Sequence, residues 1–193
     1  MTEKTDKFKE ELELIKNENI RKFAEQAIEI MPDYFFQIPA SSTKKYHPSY
    51  AVEEGGLLKH SKAVARIAYE LFRIDCWNFP DDEKDLLIVA AIVHDGWKSG
   101  KIQGRYTVTE HPLIAAQEIH NNFTDNQFVT NDQVFFLEEV LSSHMGQWRF
   151  DYKTKEEVLP IPKTRYQKLL HLADYIISRK MLEVNFDAEL SKE

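Results

Sequence analysis

The chain has 193 residues, 42% hydrophobic and 30% charged, a balance that suits one folded domain with a substantial core and excludes a disordered polymer. Its net charge of -7, from 25 basic and 32 acidic residues, excludes a general attraction to polyanions, and so a role coating long duplex nucleic acid. A single cysteine, Cys76, excludes an intrachain disulfide and any multi-cysteine zinc site.

No apolar run reaches the roughly 20 residues of a membrane span, and no membrane partner is expected. Met1 to Glu13 alternates acids and bases without a signal-peptide core, which points to a cytoplasmic protein. Glycine is scarce (6) and the prolines (7) fall mostly between periodic stretches, the pattern of an all-α bundle.

In chain order, the first predicted helix covers Lys4 to Met31. Its apolar stripe of Phe8, Leu12, Ile15, Ile20, Phe23 and Ile28 is interrupted at Asn17–Asn19. Whether this helix completes the core or makes a homo-oligomer interface is open at this level. Tyr34 to Glu54 reads as loop or short turns. Gly55-Gly56 opens a helix to about Ile74, with His60, Val64, Ile67, Ala68 and Leu71 on one face.

Pro80-Asp81-Asp82 starts the next helix, with acids at the positive end of its dipole, and it runs to His94. Ser99 to Thr109 is a polar, basic loop carrying Lys101 and Arg105. Pro112 starts a helix to about Phe123, and another runs from about Asp132 to His144. Met145 to Lys163 is a second long loop with Trp148 and Arg149. The last helix spans Thr164 to about Val184, with Leu170, Asp174, Ile177 and Met181 on one face. Cys76 is expected as a small core residue, His47 and His120 at the surface, and Tyr34–Phe36 and Phe135–Phe136 in the core or an interface.

The chain centres on Ala-Ala-Ile-Val-His94-Asp95-Gly-Trp-Lys98. Neighbouring helical residues point about 100° apart, so His94 and Asp95 cannot share one face of a regular helix. At a helix end released by Gly96, both can turn toward one point. His60 and Asp174 also sit on apolar stripes, where an uncompensated carboxylate costs several kcal/mol. Polar residues on three buried stripes suggest convergence on a cation. His111 and His144 stand at helix ends nearby, and imidazole with carboxylate suits Zn, Fe, Mn or Co better than Ca.

The order His60, His94-Asp95, His111, His144, Asp174 resembles the HD-domain metal-dependent phosphohydrolase superfamily. Gly-Gly-Leu-Leu-Lys-His60-Ser is similar to its first metal helix, Ala-Ala-Ile-Val-His94-Asp95 to its signature, and Leu-His-Leu-Ala-Asp174 to its last metal helix. The resemblance covers Tyr46 to Lys180. It implies an all-α, single HD-domain helical bundle with the metal site in its core. The expected divisions are an N-terminal helix and loop at 1–45, the HD domain at 46–186, and a tail at 187–193.

By the same resemblance His60, His94, Asp95 and Asp174 hold one divalent transition-metal ion. Asp95 bridges to a second, held by His111 and His144, and a metal-bridging hydroxide attacks phosphorus. Lys98 is the expected charge-neutralising residue, beside Asp95 in the catalytic set. The usual order His-Asp-x-Gly-Lys is altered, because Gly96 here precedes Trp97. Lys98, Lys101, Arg105, Arg149 and Arg179 are candidate substrate-phosphate ligands. Trp97 and Trp148 suit packing or rim positions better than base stacking, and His171 suits a place behind the ligands or in the partly buried helix face.

The resemblance implies hydrolysis of a phosphate ester or anhydride of a nucleotide or short oligonucleotide. Tyr46-His-Pro-Ser-Tyr, Tyr106-Thr-Val-Thr-Glu-His111 and Ser-His144-Met-Gly-Gln most resemble HD-domain 3′→5′ exoribonucleases. The compact length and six-ligand set resemble diadenosine tetraphosphate hydrolases. Other readings are a di-iron oxygenase of the inositol oxygenase type and a metal-stabilised, non-catalytic module binding a nucleotide or protein.

Overall fold

The computed structural model describes residues 2–41, 47–182 and 186. Tyr46, Val184 and the expected tail at 187–193 lie outside the described residues. Leu86 to Val93 is an unbroken apolar run, and a helix apolar on every face must be surrounded. It forms most of α5 (Asp81–Val93), in which every residue from Asp85 onward is buried. Around it stand α1 (Glu3–Asp6), α2 (Lys9–Leu12), α3 (Glu18–Glu29), α4 (Gly56–Leu71), α6 (His111–Phe123), α7 (Asn131–Ser142) and α8 (Arg165–Ile177). Helix α5 packs directly on α3, α4, α7 and α8, while α6 pairs with α7. No strand occurs among the described residues, only the isolated bridge between Phe150 and Glu157. The fold is all-α, as the sequence led us to expect.

The expected single helix from Lys4 to Met31 is three helices. The break falls where the apolar stripe is interrupted: the Asn17 side chain caps α3 by accepting the N–H groups of Asn19 and Ile20. The buried Asp85 carboxylate accepts the N–H groups of Lys16 (3.1 Å) and Asn17 (2.7 Å), so the broken backbone is satisfied from α5. Burial raises the Asp85 pKa, and these two N–H donors oppose the rise. Phe8, Leu12, Ile15, Ile20 and Phe23 join the same hydrophobic core as α5 and α8. A buried ion pair adds to this, with Arg66 Nε of α4 donating to Glu11 at 2.8 Å. The N-terminal segment therefore completes the core of this chain.

Helices α7 and α8 each begin with a capping box, Thr130 with Gln133 and Thr164 with Gln167. Helix α8 stops at Ile177 rather than near Val184, which leaves Met181 85% exposed instead of on the buried stripe. Cys76 is also exposed, because it lies in the short turn Asp75–Trp77 outside the bundle. Tyr34 and Phe35 are in the core, whereas Phe135 faces solvent.

Candidate metal centre

Helices α4 to α8 each deliver one or two polar groups to a common interior point. Gly55 takes a left-handed φ of 69° and donates its N–H to Gln37 O at 2.7 Å, which fixes the start of α4. One turn later α4 presents His60. Helix α5 ends at Val93, and the turn sealed by Gly96 N–H to Val93 O (2.9 Å) lets His94 and Asp95 both face inward. His111 opens α6, His144 follows α7 by two residues, and Asp174 lies in α8. His60, His94, His111 and His144 are fully buried, and the Asp95 and Asp174 side chains are 2% and 13% exposed.

These six residues form two triads able to hold an ion, His60–His94–Asp174 and Asp95–His111–His144. In the first, His60 Nε2 lies 3.3 Å from His94 Nε2 and 3.1 Å from Asp174 Oδ1. In the second, His111 Nε2 lies 3.2 Å from His144 Nε2 and 3.0 Å from Asp95 Oδ1. Donors at ordinary transition-metal distances around one ion stand roughly 3.0–3.5 Å apart. Asp95 joins the triads. Its Oδ1 faces His111 and His144, while its Oδ2 is 3.5 Å from His94 and 3.6 Å from His60.

The chemistry of the donors fits a cation. The Nδ1 atoms of His94, His111 and His144 point at the carbonyls of Ala91, Val108 and Leu141, at 2.8, 2.7 and 2.8 Å. A carbonyl only accepts, so Nδ1 carries the proton and Nε2 is a bare lone pair. His111 and His144 thus aim two bare lone pairs at each other and at the Asp95 carboxylate, with no proton to share. Burial lowers the pKa of His111, against the raising effect of Asp95, and that of His94 to about 3. Burial also opposes ionisation of Asp95, but the Lys98 ammonium, the largest of the opposing influences, helps hold the carboxyl well below its usual range. Asp174 behaves alike, with His60 overcoming burial. Four nitrogen donors around two carboxylates kept ionised is a set that a divalent ion completes.

The expected cations distribute unevenly. Lys98, despite the altered Gly96-Trp97 order, forms an ion pair with Asp95 Oδ2. Trp97 is 2% exposed and belongs to the core, so it packs rather than stacks on a ligand. Lys101 pairs with Glu118, and Arg149 Nε donates to Glu157 at 3.0 Å. Arg105 is exposed and lies over the Tyr106 ring. Arg179 lies over Trp148 and Tyr175. His171 stands behind the second triad, its Nδ1–H reaching the His144 carbonyl at 2.7 Å. Gly146, with φ 56°, makes room for it: a Cβ there would stand 2.2 Å from His171 Cε1.

Two residues near the centre escaped the sequence reading. His47, expected at the surface, meets the His60 ring edge-on at 5.4 Å, and its buried Nδ1 has no hydrogen-bond partner among the described residues. Burial, with Lys98 adding to it, lowers the His47 pKa to about 3. Its only sequence signal was the aromatic and proline company of Tyr-His-Pro-Ser-Tyr. The Tyr34 hydroxyl donates to Gly100 O at 2.6 Å and accepts the Ser99 N–H at 3.2 Å, which anchors the loop that carries Lys98.

With five helices contributing to one buried set of imidazoles and carboxylates, the class is defined, and residues 57–178 match the HD domain. The chain belongs to the HD domain family. At the superfamily level this is a metal-dependent phosphohydrolase domain that binds divalent metals. No curated protein and no solved structure matches the chain.

Proposed function

We propose that this protein is a two-metal phosphohydrolase that cleaves a phosphate ester or anhydride of a nucleotide or short oligonucleotide. The observation that carries the reading is the position of Asp95. One oxygen faces His111 and His144 and the other faces His60 and His94, so a single carboxylate serves both triads. His60, His94 and Asp174 would hold one ion, and His111 and His144 the other, with Asp95 shared. Divalent ions there would lower the pKa of bound water toward neutrality and clamp the attacking and leaving oxygens of a displacement at phosphorus.

The chain's own groups do the rest. The carbonyls of Ala91, Val108 and Leu141 fix three imidazoles in the metal-ready tautomer, so no proton need be expelled when they bind. Lys98 balances the charge of Asp95 and stands where a phosphoryl oxygen can take over its contact. Tyr34 holds that lysine's loop in place. Exclusion of water around the triads strengthens each of these charge interactions.

The test is product analysis after incubation with Mn²⁺, with a chelator control, on deoxynucleoside triphosphates, monophosphates, diadenosine polyphosphates, a cyclic dinucleotide and short RNA. Chelator-sensitive cleavage of a phosphorus–oxygen bond is the expected result. Absence of cleavage, with dioxygen consumed on a polyol, would replace the reading by an oxygenase.

A further inference from the structure

Beyond the two triads, the loop after α7 and the end of α8 build a feature the metal chemistry does not use. The Trp148 ring stacks on Tyr175, with centroids 5.7 Å apart and planes 15° from parallel. The Arg179 guanidinium covers both rings, at 5.4 Å from Trp148 and 4.5 Å from Tyr175. Trp148 is nevertheless 41% exposed. A large ring that keeps this exposure although Tyr175, Arg179 and His171 lie against it is a partly open aromatic platform.

The platform hangs on the last ligand of each triad. Tyr175 follows Asp174 directly, and Trp148 lies four residues beyond His144. The His171 ring joins the two sides, bonded to the His144 carbonyl at 2.7 Å and edge-on to Trp148 at 6.3 Å. Arg179 adds an independent sign of a missing partner. Its Nη2 donates to Ser178 Oγ at 2.8 Å, while its buried Nε–H has no hydrogen-bond partner among the described residues. A buried guanidinium N–H calls for an acceptor. The loop beyond Trp148 repeats the pairing of ring and cation. Phe150, 43% exposed, has Arg149 at 4.5 Å, and Tyr152, 84% exposed, has Lys155 at 4.4 Å. Exposed rings interleaved with cations are how proteins hold unpaired bases without reading their sequence.

We infer that Trp148, Tyr175 and Arg179 form a nucleobase platform at the rim of the metal centre. The base beside the scissile phosphate stacks on the exposed part of Trp148, the Arg179 guanidinium adds a cation against the same rings, and Phe150 and Tyr152 continue the track for the next base of a single strand. The inference rests on the phosphohydrolase reading for where the phosphate lies, and it narrows the substrate to base-bearing, single-stranded or mononucleotide species.

The experiment uses the full chain loaded with Mn²⁺ and two fluorescent probes with cleavage-resistant phosphorothioate linkages, a hexadeoxyadenylate and a hexamer of abasic tetrahydrofuran units. Anisotropy titration is expected to give at least roughly tenfold tighter binding of the base-bearing probe. Trp148→Ala should erase that preference and Trp148→Phe should keep most of it. Equal binding of both probes by the wild type, or an unchanged preference in Trp148→Ala, would overturn the platform. Should Trp148→Ala fail to fold, Arg179→Ala serves in its place, with at least a fewfold loss of the same preference expected and an unchanged preference counting against the idea. Chelator-sensitive cleavage of any member of the substrate panel above by the wild type judges the hydrolase reading separately. Base preference without cleavage would keep the platform and remove the hydrolase, and cleavage without base preference would do the reverse.

Discussion

Gly56→Ala is the substitution that most directly links the packing of this bundle to its metal centre. A Cβ at position 56 would lie 2.3 Å from the carbonyl oxygen of Ala51 and 2.5 Å from its carbon. Ordinary contact begins near 3.4 Å, so the start of α4 must move by about 1.1 Å, against backbone that has no rotamer to yield. Overpacking of this kind costs about 1–3 kcal/mol, offset by up to about 1 kcal/mol from removing a glycine's conformational freedom. A net loss of about 1–2 kcal/mol in a chain of this size lowers Tm by roughly 2–8 °C. The same shift carries His60, one turn along α4, away from His94 and Asp174 by far more than the ~0.2 Å tolerance of a metal–ligand distance. Calorimetry with Mn²⁺ titration should therefore show a lower Tm and at least roughly tenfold weaker binding at one site, with the Asp95–His111–His144 site unaffected. A wild-type Tm together with two wild-type affinities would refute the reasoning.

Other outcomes follow from the same geometry. His111→Ala or His144→Ala should lower metal stoichiometry from two to one, measured by elemental analysis after gel filtration, and two ions retained in both would remove the second site. Asp95→Asn should abolish chelator-sensitive hydrolysis while circular dichroism stays helical, because the apolar stripes of the bundle are intact; residual wild-type turnover would contradict it. Tyr34→Phe removes a donor to Gly100 O and an acceptor from Ser99 N–H, at a cost of about 1–3 kcal/mol, and should speed amide exchange at Ser99 and lower kcat. In the metal-free protein, burial holds His94 and His47 near a pKa of about 3 against an ordinary 6.5. The unfolded chain then binds protons that the folded chain does not, so stability falls as pH drops below about 6.5, by roughly 1.4 kcal/mol per pH unit for each imidazole. Urea midpoints that do not change between pH 7 and pH 4.5 would count against this.

Much of the architecture is legible in local pattern. The unbroken apolar run from Leu86 to Val93 states that α5 is central, and the threonine–glutamine pairs at 130 and 164 mark two helix starts with one residue's accuracy. The interrupted stripe at Asn17 signalled a break and its cap is local, but the broken backbone is satisfied by Asp85 of α5, a partner 68 residues away that no local pattern contains. Met181 kept the helical period of α8 although the helix had already ended, because periodicity continues in sequence whether or not hydrogen bonds do. In the metal centre, the six ligand types and their order were readable. The tautomers were not, because they depend on carbonyls at i−3 in turns whose geometry appears only in the fold. His47 was misplaced for a similar reason: nothing near it in sequence tells that the turn after it lays the ring on His60.

The most direct test of the central claim is an anomalous-difference map from crystals of the full chain grown with Mn²⁺. The account predicts two peaks, one among His60, His94 and Asp174 and one between His111 and His144, with Asp95 reaching both. A single peak, or peaks that leave Asp95 unliganded, would contradict it.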